Sequence, residues 1–162
     1  MEKAIVKCIV NESNKNLRGS SMLDEKDRKI LEMLRENARA SYSEISRAMG
    51  ISDVAVIKRI RKLEQLGIIK KYTIIIDPKK LGYNSISITG IDTEPEHIFS
   101  VLAFLKEREH VKYLALTSGD HSIMTVIWAT DGEELARIHD EISRLPGVRR
   151  VCPAIILDVI KE

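Results

Sequence analysis

The chain has 162 residues, 44% of them hydrophobic, and a formal net charge of only +2; that is enough for one ordinary domain or two small ones, and it argues against wholesale disorder. No apolar run approaches the roughly 20 residues that cross a bilayer, and the N-terminal stretch is interrupted by Lys7 and offers no small-residue cleavage site. Two cysteines, Cys8 and Cys152, are too few and too far apart for a disulfide scaffold or a zinc site. Charge is unevenly spread: residues 24–72 carry 12 Lys and Arg against 8 Asp and Glu, whereas residues 83–162 carry 8 against 13. A basic front half and an acidic back half point to a polyanionic partner for the front half alone.

Residues 1–21 read as a leader, strand-like over 4–10 and loop-like after that, with Met22 as an alternative start directly before the first strong helix. That helix is expected from a cap at Asp24, with Ile30, Leu31 and Leu34 spaced by three and four on one face. A second helix is expected to open with Ser43 as its cap, to turn Ile45 and Met49 inward, and to end at Gly50, which enters a left-handed turn without steric cost. Ser52 caps a third helix over 53–66, whose inward positions are Val56, Ile60, Leu63 and Leu66 and which stops at Gly67. The second helix, the tight turn and the third helix make a helix-turn-helix, the centre of an expected DNA-binding domain over 22–72. The run 68–76 has strand composition and reads as a wing carrying Lys70 and Lys71, and residues 73–82 read as a linker.

From Tyr83 the period changes to two, with a strand at 85–89. A helical stripe of Ile98, Val101, Leu102 and Leu105 follows within 96–108, then strands at 111–117 and 123–129. A helix over 132–145 turns Leu135, Ile138 and Ile142 inward, and a last strand is expected over 151–160. The predicted fold is therefore α+β: an N-terminal winged helix-turn-helix followed by a ferredoxin-like βαββαβ module over 83–162. Such a sheet leaves a face or an edge exposed, which dimerisation covers economically.

On the third helix the outward positions are Ser52, Asp53, Val54, Ala55, Lys58, Arg59, Arg61 and Lys62. Small residues at its start allow close approach to base edges, and the four cations further along can meet phosphates on either wall of the major groove. The N-terminal amides of the second helix, where Ser43 stands, and of the third also suit phosphate oxygens, with Lys70 and Lys71 flanking them. Double-stranded DNA is the expected partner, bound with strong salt dependence. Single-stranded RNA is less well served, because only Tyr42 and Tyr72 offer stacking surfaces in the basic half.

Two other classes stay open on the residues alone: an interaction protein with a winged-helix module, and a small ferredoxin-like enzyme. Catalysis has little to work with. The contiguous Asp120-His121-Ser122 points its side chains to alternate sides, and His97, His110 and His139 lack metal-ligand spacing. There is no phosphate loop of the Gly-rich type, so no metal and no cofactor are expected.

A wider pattern joins these pieces. Leu23-Asp24 with Asp27 and Ile30-Leu31 is followed by Asn37-Ala38-Arg39, Tyr42-Ser43-Glu44-Ile45 and Gly50-Ile51-Ser52. Val56, Arg59-Ile60 with Leu63-Glu64, Gly67-Ile68-Ile69 and Leu81-Gly82 come next, then Ser118-Gly119-Asp120 and Leu145-Pro146-Gly147-Val148. In these residues the chain resembles the Lrp/AsnC family of feast/famine transcriptional regulators, over about residues 22 to 161. The resemblance implies a cytoplasmic, nucleoid-associated regulator whose dimers pair through their sheets and assemble into tetramers or octamers. It also implies a free amino acid bound between dimers, near the turn formed here by Thr117, Ser118, Gly119, Asp120, His121 and Ser122. The amides of Gly119 and Asp120 then receive the ligand carboxylate, and the Asp120 carboxylate its ammonium group. The chain departs from the family pattern at Ser122, where many members carry a second acid, and at Val151 and Pro153, where many carry threonines. Glutamine is the effector that Ser122 and His121 suit. Read without the family, Gly119-Asp120 is plain turn chemistry.

Overall fold

The computed structural model describes residues 23–160; the leader with its strand at 4–10, Cys8 and the start at Met22 lie outside the described residues. The chain divides into two compact units between Ile75 and Ile76.

The first unit contains α1 (Glu25–Glu36), α2 (Tyr42–Met49) and α3 (Asp53–Gln65). Each helix begins on a side chain that satisfies an amide the helix itself leaves unpaired. At α1 the box is reciprocal: the Asp27 amide donates to Asp24 Oδ1 at 2.8 Å, and the Asp24 amide donates to Asp27 Oδ2 at 3.3 Å. At α2 the cap is Ser41, not Ser43. Ser41 is followed three residues on by Glu44, which returns the bond to the Ser41 amide at 2.6 Å, whereas the residue three after Ser43 is Ser46, which has no carboxylate to return. Gly50 ends α2 at φ 64°, a left-handed conformation that only a residue without Cβ adopts freely. Ser52 caps α3 by accepting from the Ala55 amide at 3.2 Å. Ile30, Ile45, Val56, Ile60 and Leu63 are at most 1% exposed and form the core. Leu66 is exposed at the C-cap of α3, and Ile68 and Ile69 just after it pack against the core in its place.

The run 68–76 is not a strand among the described residues, so the expected wing is corrected to an irregular segment. The amides of Ile68 and Ile69 donate to the Leu63 carbonyl at 2.9 and 3.2 Å, closing the end of α3. Every residue from 70 to 77 is exposed. The composition favours a strand, but a strand needs a neighbour to pair its amides, and none of the described strands pairs with this run. The Tyr72 hydroxyl donates to Glu64 at 2.9 Å and ties the segment back to α3.

The second unit contains β1 (Ser85–Thr93), α4 (Ile98–Lys106), β2 (Val111–Leu116), β3 (Ile123–Ala129), α5 (Gly132–Ser143) and β4 (Val148–Ile155). The sheet order is β2-β3-β1-β4, antiparallel throughout. Alternation turns Ile91, Ile123 and Ile127 toward Val101 and Leu105 of α4 and toward Leu135, Ile138 and Ile142 of α5. The opposite face carries a cross-strand row of Tyr113, Val126 and Ile88, of which Tyr113 and Ile88 are exposed. β1 runs past its expected end at 89 because Gly90 and Ile91 are paired on both sides. β4 stops at Ile155 rather than 160: Ile155 already faces Ser87, close to where β1 begins, so little partner strand remains. Beneath α5, His139 Nε2 lies 3.1 Å from the Ser87 hydroxyl and 3.0 Å from that of Thr89. Burial pushes this imidazole below its ordinary pKa, which keeps the neutral form that the two hydroxyls can partner.

Candidate nucleic-acid interface and ligand turn

At about 100° per residue, Val54, Lys58, Arg61 and Gln65 fall within an arc of about 60° on α3, opposite the stripe of Val56, Ile60 and Leu63. Val54 is 74% exposed. Lys58 and Arg61 are exposed, and among the described residues neither makes an ion pair. These side chains border an open depression of about 840 Å³ along the side of α3 that Asp24, Ala55, Ile57, Arg59 and Lys62 also line. A convex helix with an apolar leading residue and cations behind it has the shape and charge to enter a major groove.

Other residues expected on this surface are engaged elsewhere. Arg59 lies beside the core stripe, and its guanidinium donates to Asp24 Oδ2 and Asp27 Oδ1, both at 2.6 Å. The Asp27 side chain is 0% exposed, and the Lys62 ammonium stands 3.6 Å from its other oxygen. A buried carboxylate is tolerable only when paired in this way. The Asp27 amide, with the Arg59 guanidinium, holds the Asp24 carboxyl below its usual range. Asp53 is likewise turned away from the outward stripe. It accepts from the Ser43 hydroxyl at 2.6 Å and from the Ser46 hydroxyl, and these bonds hold its carboxyl below the usual range. Ser43 and Asp53 thus clamp α2 to the start of α3 across the Gly50 turn. The Ser52 hydroxyl is occupied as a cap, and Lys70 and Lys71 stand exposed on the irregular segment after α3.

In the second unit, Thr117, Ser118, Gly119, Asp120, His121 and Ser122 form the connection from β2 to β3. The Thr117 amide donates to the Ser122 carbonyl at 2.9 Å, and the Thr117 hydroxyl to the His121 carbonyl at 2.7 Å. Ser118, Gly119 and Asp120 form the exposed tip. His121 does not join its neighbours Asp120 and Ser122. Its Nδ1 lies 2.8 Å from Asp92 Oδ1 on β1, and since a carboxylate only accepts, the proton sits on that nitrogen. Arg150 Nε on β4 donates to Asp92 Oδ2 at 2.8 Å. His121, then Arg150, hold the Asp92 carboxyl below its usual range. The imidazole lies over Gly90, where an added Cβ would come within 2.2 Å of the ring. Sequence reasoning missed Asp92, Arg150 and Gly90 here, because Asp92 and Arg150 become neighbours only through the register of β1 on β4. It named Asp27 in the family pattern but not as the buried partner of Arg59. A signal for Asp27 existed in its pairing with Asp24 as the far half of a capping box. Among the described residues no group of His, Cys, Asp or Glu is placed to hold a metal ion, and no helix is long and apolar enough to cross a membrane.

Two short helices around a glycine turn, with cations free on the outward face of the second, followed by a four-stranded sheet with an exposed polar turn, define a helix-turn-helix DNA-binding regulator with a ligand domain. Residues 23–64 match the AsnC-type helix-turn-helix domain, and residues 86–162 match the Lrp/AsnC ligand binding domain. The chain belongs to the Lrp/AsnC family of DNA-binding transcriptional regulators. It is 55% identical over 141 residues to the HTH-type transcriptional regulator LrpA of Pyrococcus horikoshii, an overlap of 86% of this chain and 100% of that one. The structure of E. coli AsnC superposes with a TM-score of 0.78 at 28% identity, covering 88% of this chain and 97% of that one. A transcriptional regulator from Neisseria meningitidis in complex with L-Met shares the fold, with a TM-score of 0.78 at 22% identity over 87% of this chain and 94% of that one. The family is one of regulators, so the enzyme reading is set aside.

Proposed function

We propose that α3 is the reading helix, that residues 22–72 form the DNA-binding domain, with 73–82 as linker, and that residues 83–162 sense an amino acid and assemble the protein. The outward stripe on α3 carries this reading: Val54, Lys58 and Arg61 face away from the core, and the two cations are free to meet phosphates. Ser52 and Ala55 border the same approach, Lys62 flanks it, and Lys70 and Lys71 lie where a neighbouring phosphate passes. Ser43, Asp53 and Arg59 hold the helices in place rather than contact DNA.

The turn of Thr117, Ser118, Gly119, Asp120, His121 and Ser122 is the effector site. Its exposed tip presents the Gly119 and Asp120 amides to a carboxylate and the Asp120 carboxylate to an ammonium group. The L-Met bound to the fold neighbour from Neisseria meningitidis supports an amino acid as the ligand class, and glutamine is the first candidate. Homodimers that assemble into tetramers or octamers then hold neighbouring half-sites on the nucleoid in the cytoplasm, and the effector biases which assembly is populated.

The test is fluorescence anisotropy on duplexes selected by the protein from a random pool. Affinity should fall about a thousandfold between about 50 and about 200 mM salt if six phosphates are engaged. Flat curves at low salt on every duplex would remove DNA reading from α3. Calorimetric titration with the twenty amino acids, glutamine first, checks the sensing half independently. Heat from none of them would remove the amino-acid site without touching the DNA result.

A further inference from the structure

Elimination along α3 leaves little that can read a base. The carboxylate of Asp53 accepts from Ser43 and Ser46 and is turned back toward α2, away from the outward stripe where a cytosine amino group would be met. The Ser52 hydroxyl oxygen accepts from the Ala55 amide, which holds it at the cap of α3 with only its O–H left to donate, a group that suits a phosphate as well as any base. Arg59 is held by Asp24 and Asp27 and lies beside the core rather than on the outward stripe. Lys58 and Arg61 follow Val54 by four and seven residues, placing them about 6 and 10 Å further along the axis, where cations commonly serve as phosphate anchors. At the leading end of the stripe stands Val54, a branched apolar side chain 74% exposed and bordering the depression along the side of α3. Valine forms helices less readily than alanine, and this one is not part of the core, so its side chain gives the fold of this unit nothing.

We propose that Val54 is a specificity-determining residue of the reading helix and that it selects thymine, by packing its two methyl groups against the thymine C5-methyl in the major groove. This rests on α3 being the reading helix. The chemistry is narrow: the C5-methyl is the only apolar group that an unmodified base pair presents in that groove, and an exposed valine offers neither donor nor acceptor to any other edge. Each protomer contributes one such contact, so each half-site carries one methyl-dependent thymine.

The experiment uses the full chain and a duplex it has selected from a random pool, with each thymine replaced in turn by deoxyuridine, which deletes only the methyl group. At one thymine per half-site the wild-type protein should lose about fourfold in affinity, the value of one buried methyl group. The Val54→Ala variant should bind the thymine and uracil duplexes equally at that position, with a melting temperature equal to the parent's or slightly higher, because the replaced side chain is outside the core and alanine is the better helix former. Indifference of the wild-type protein to every methyl group, or a Val54→Ala variant that keeps the fourfold discrimination, would overturn the assignment while leaving α3 as the reading helix. A Lys58→Ala variant that binds the same duplex unimpaired would instead overturn α3 as the reading helix, and this inference with it.

Discussion

Arg59 and Arg61 stand two residues apart on α3. One is held at 2.6 Å by two carboxylates, and the other makes no ion pair among the described residues. Their side chains leave the helix about 160° apart, and that separation decides their roles. The adjacent pair Asp53 and Val54 repeats the contrast: the carboxylate turns back to Ser43 and Ser46 on α2, and the apolar side chain faces out. The basic character of α3 therefore overstates its hold on phosphate. Part of that charge holds the helix against α1, and a salt slope counts only the cations on the outward face.

The most direct way to break this comparison is Arg59→Ala. It leaves Asp27 buried with only Lys62, 3.6 Å away, as a cationic partner. The expected loss is about 2–3 kcal/mol of stability, below the usual range for a broken buried pair because Lys62 remains and Arg59 is itself partly exposed. Thermal or urea unfolding measures it. The salt slope of DNA binding should not change in protein that is still folded. A variant of normal stability whose slope falls by about one would put Arg59 on the outward face after all.

The converse change sharpens the contrast from the other side. Replacing Lys58 and Arg61 together by alanine should leave unfolding within about 0.5 kcal/mol of the parent, since neither side chain is tied to the fold. The salt slope should fall by about two per reading head. If anisotropy at two salt concentrations gave the parent slope, these cations would not be meeting phosphates, and the reading face would have to be sought elsewhere.

Much of this was legible in the sequence, and the exceptions have physical reasons. The helices and strands follow from periodicity, and the stops at Gly50 and Gly67 follow from backbone sterics, all of them local information. The inward position of Arg59 was also local: it falls between the outward arc and the core residues Val56 and Ile60, and angular bookkeeping separates it from Arg61. Ser41 was legible as a cap through Glu44. The cluster of Asp92, His121 and Arg150 was not, because it depends on which residue of β1 faces which residue of β4. The segment 68–76 failed differently: its residues favour a strand, but among the described residues nothing pairs with it. The end of β4 was set by where β1 begins, which no property of residues 156–160 records.

The smallest expected effect tests the other half of the comparison, Asp53 against Val54. Hydrogen bonds from Ser43 and Ser46 hold the Asp53 carboxyl below its ordinary 3.8. A carboxyl with a lowered folded-state pKa binds its proton less readily folded than unfolded, so its contribution is complete above about 3.8 and is lost as the pH falls through the folded value. Asp53→Asn should therefore flatten the acid limb of stability below about pH 3.8 while moving the neutral-pH melting temperature by about a degree, since the site is exposed and well screened. DNA binding distinguishes the clamp from a reader. An inward-turned carboxylate makes no base contact, and removing a negative charge near phosphates leaves affinity equal or slightly higher. A loss of about tenfold or more, confined to duplexes with a cytosine at one position, would mean that Asp53 leaves its two serines and accepts from a cytosine amino group. Base selection would then be shared by both neighbours at the head of α3, and the rule that inward residues hold while outward residues read would fail at its N-terminal end.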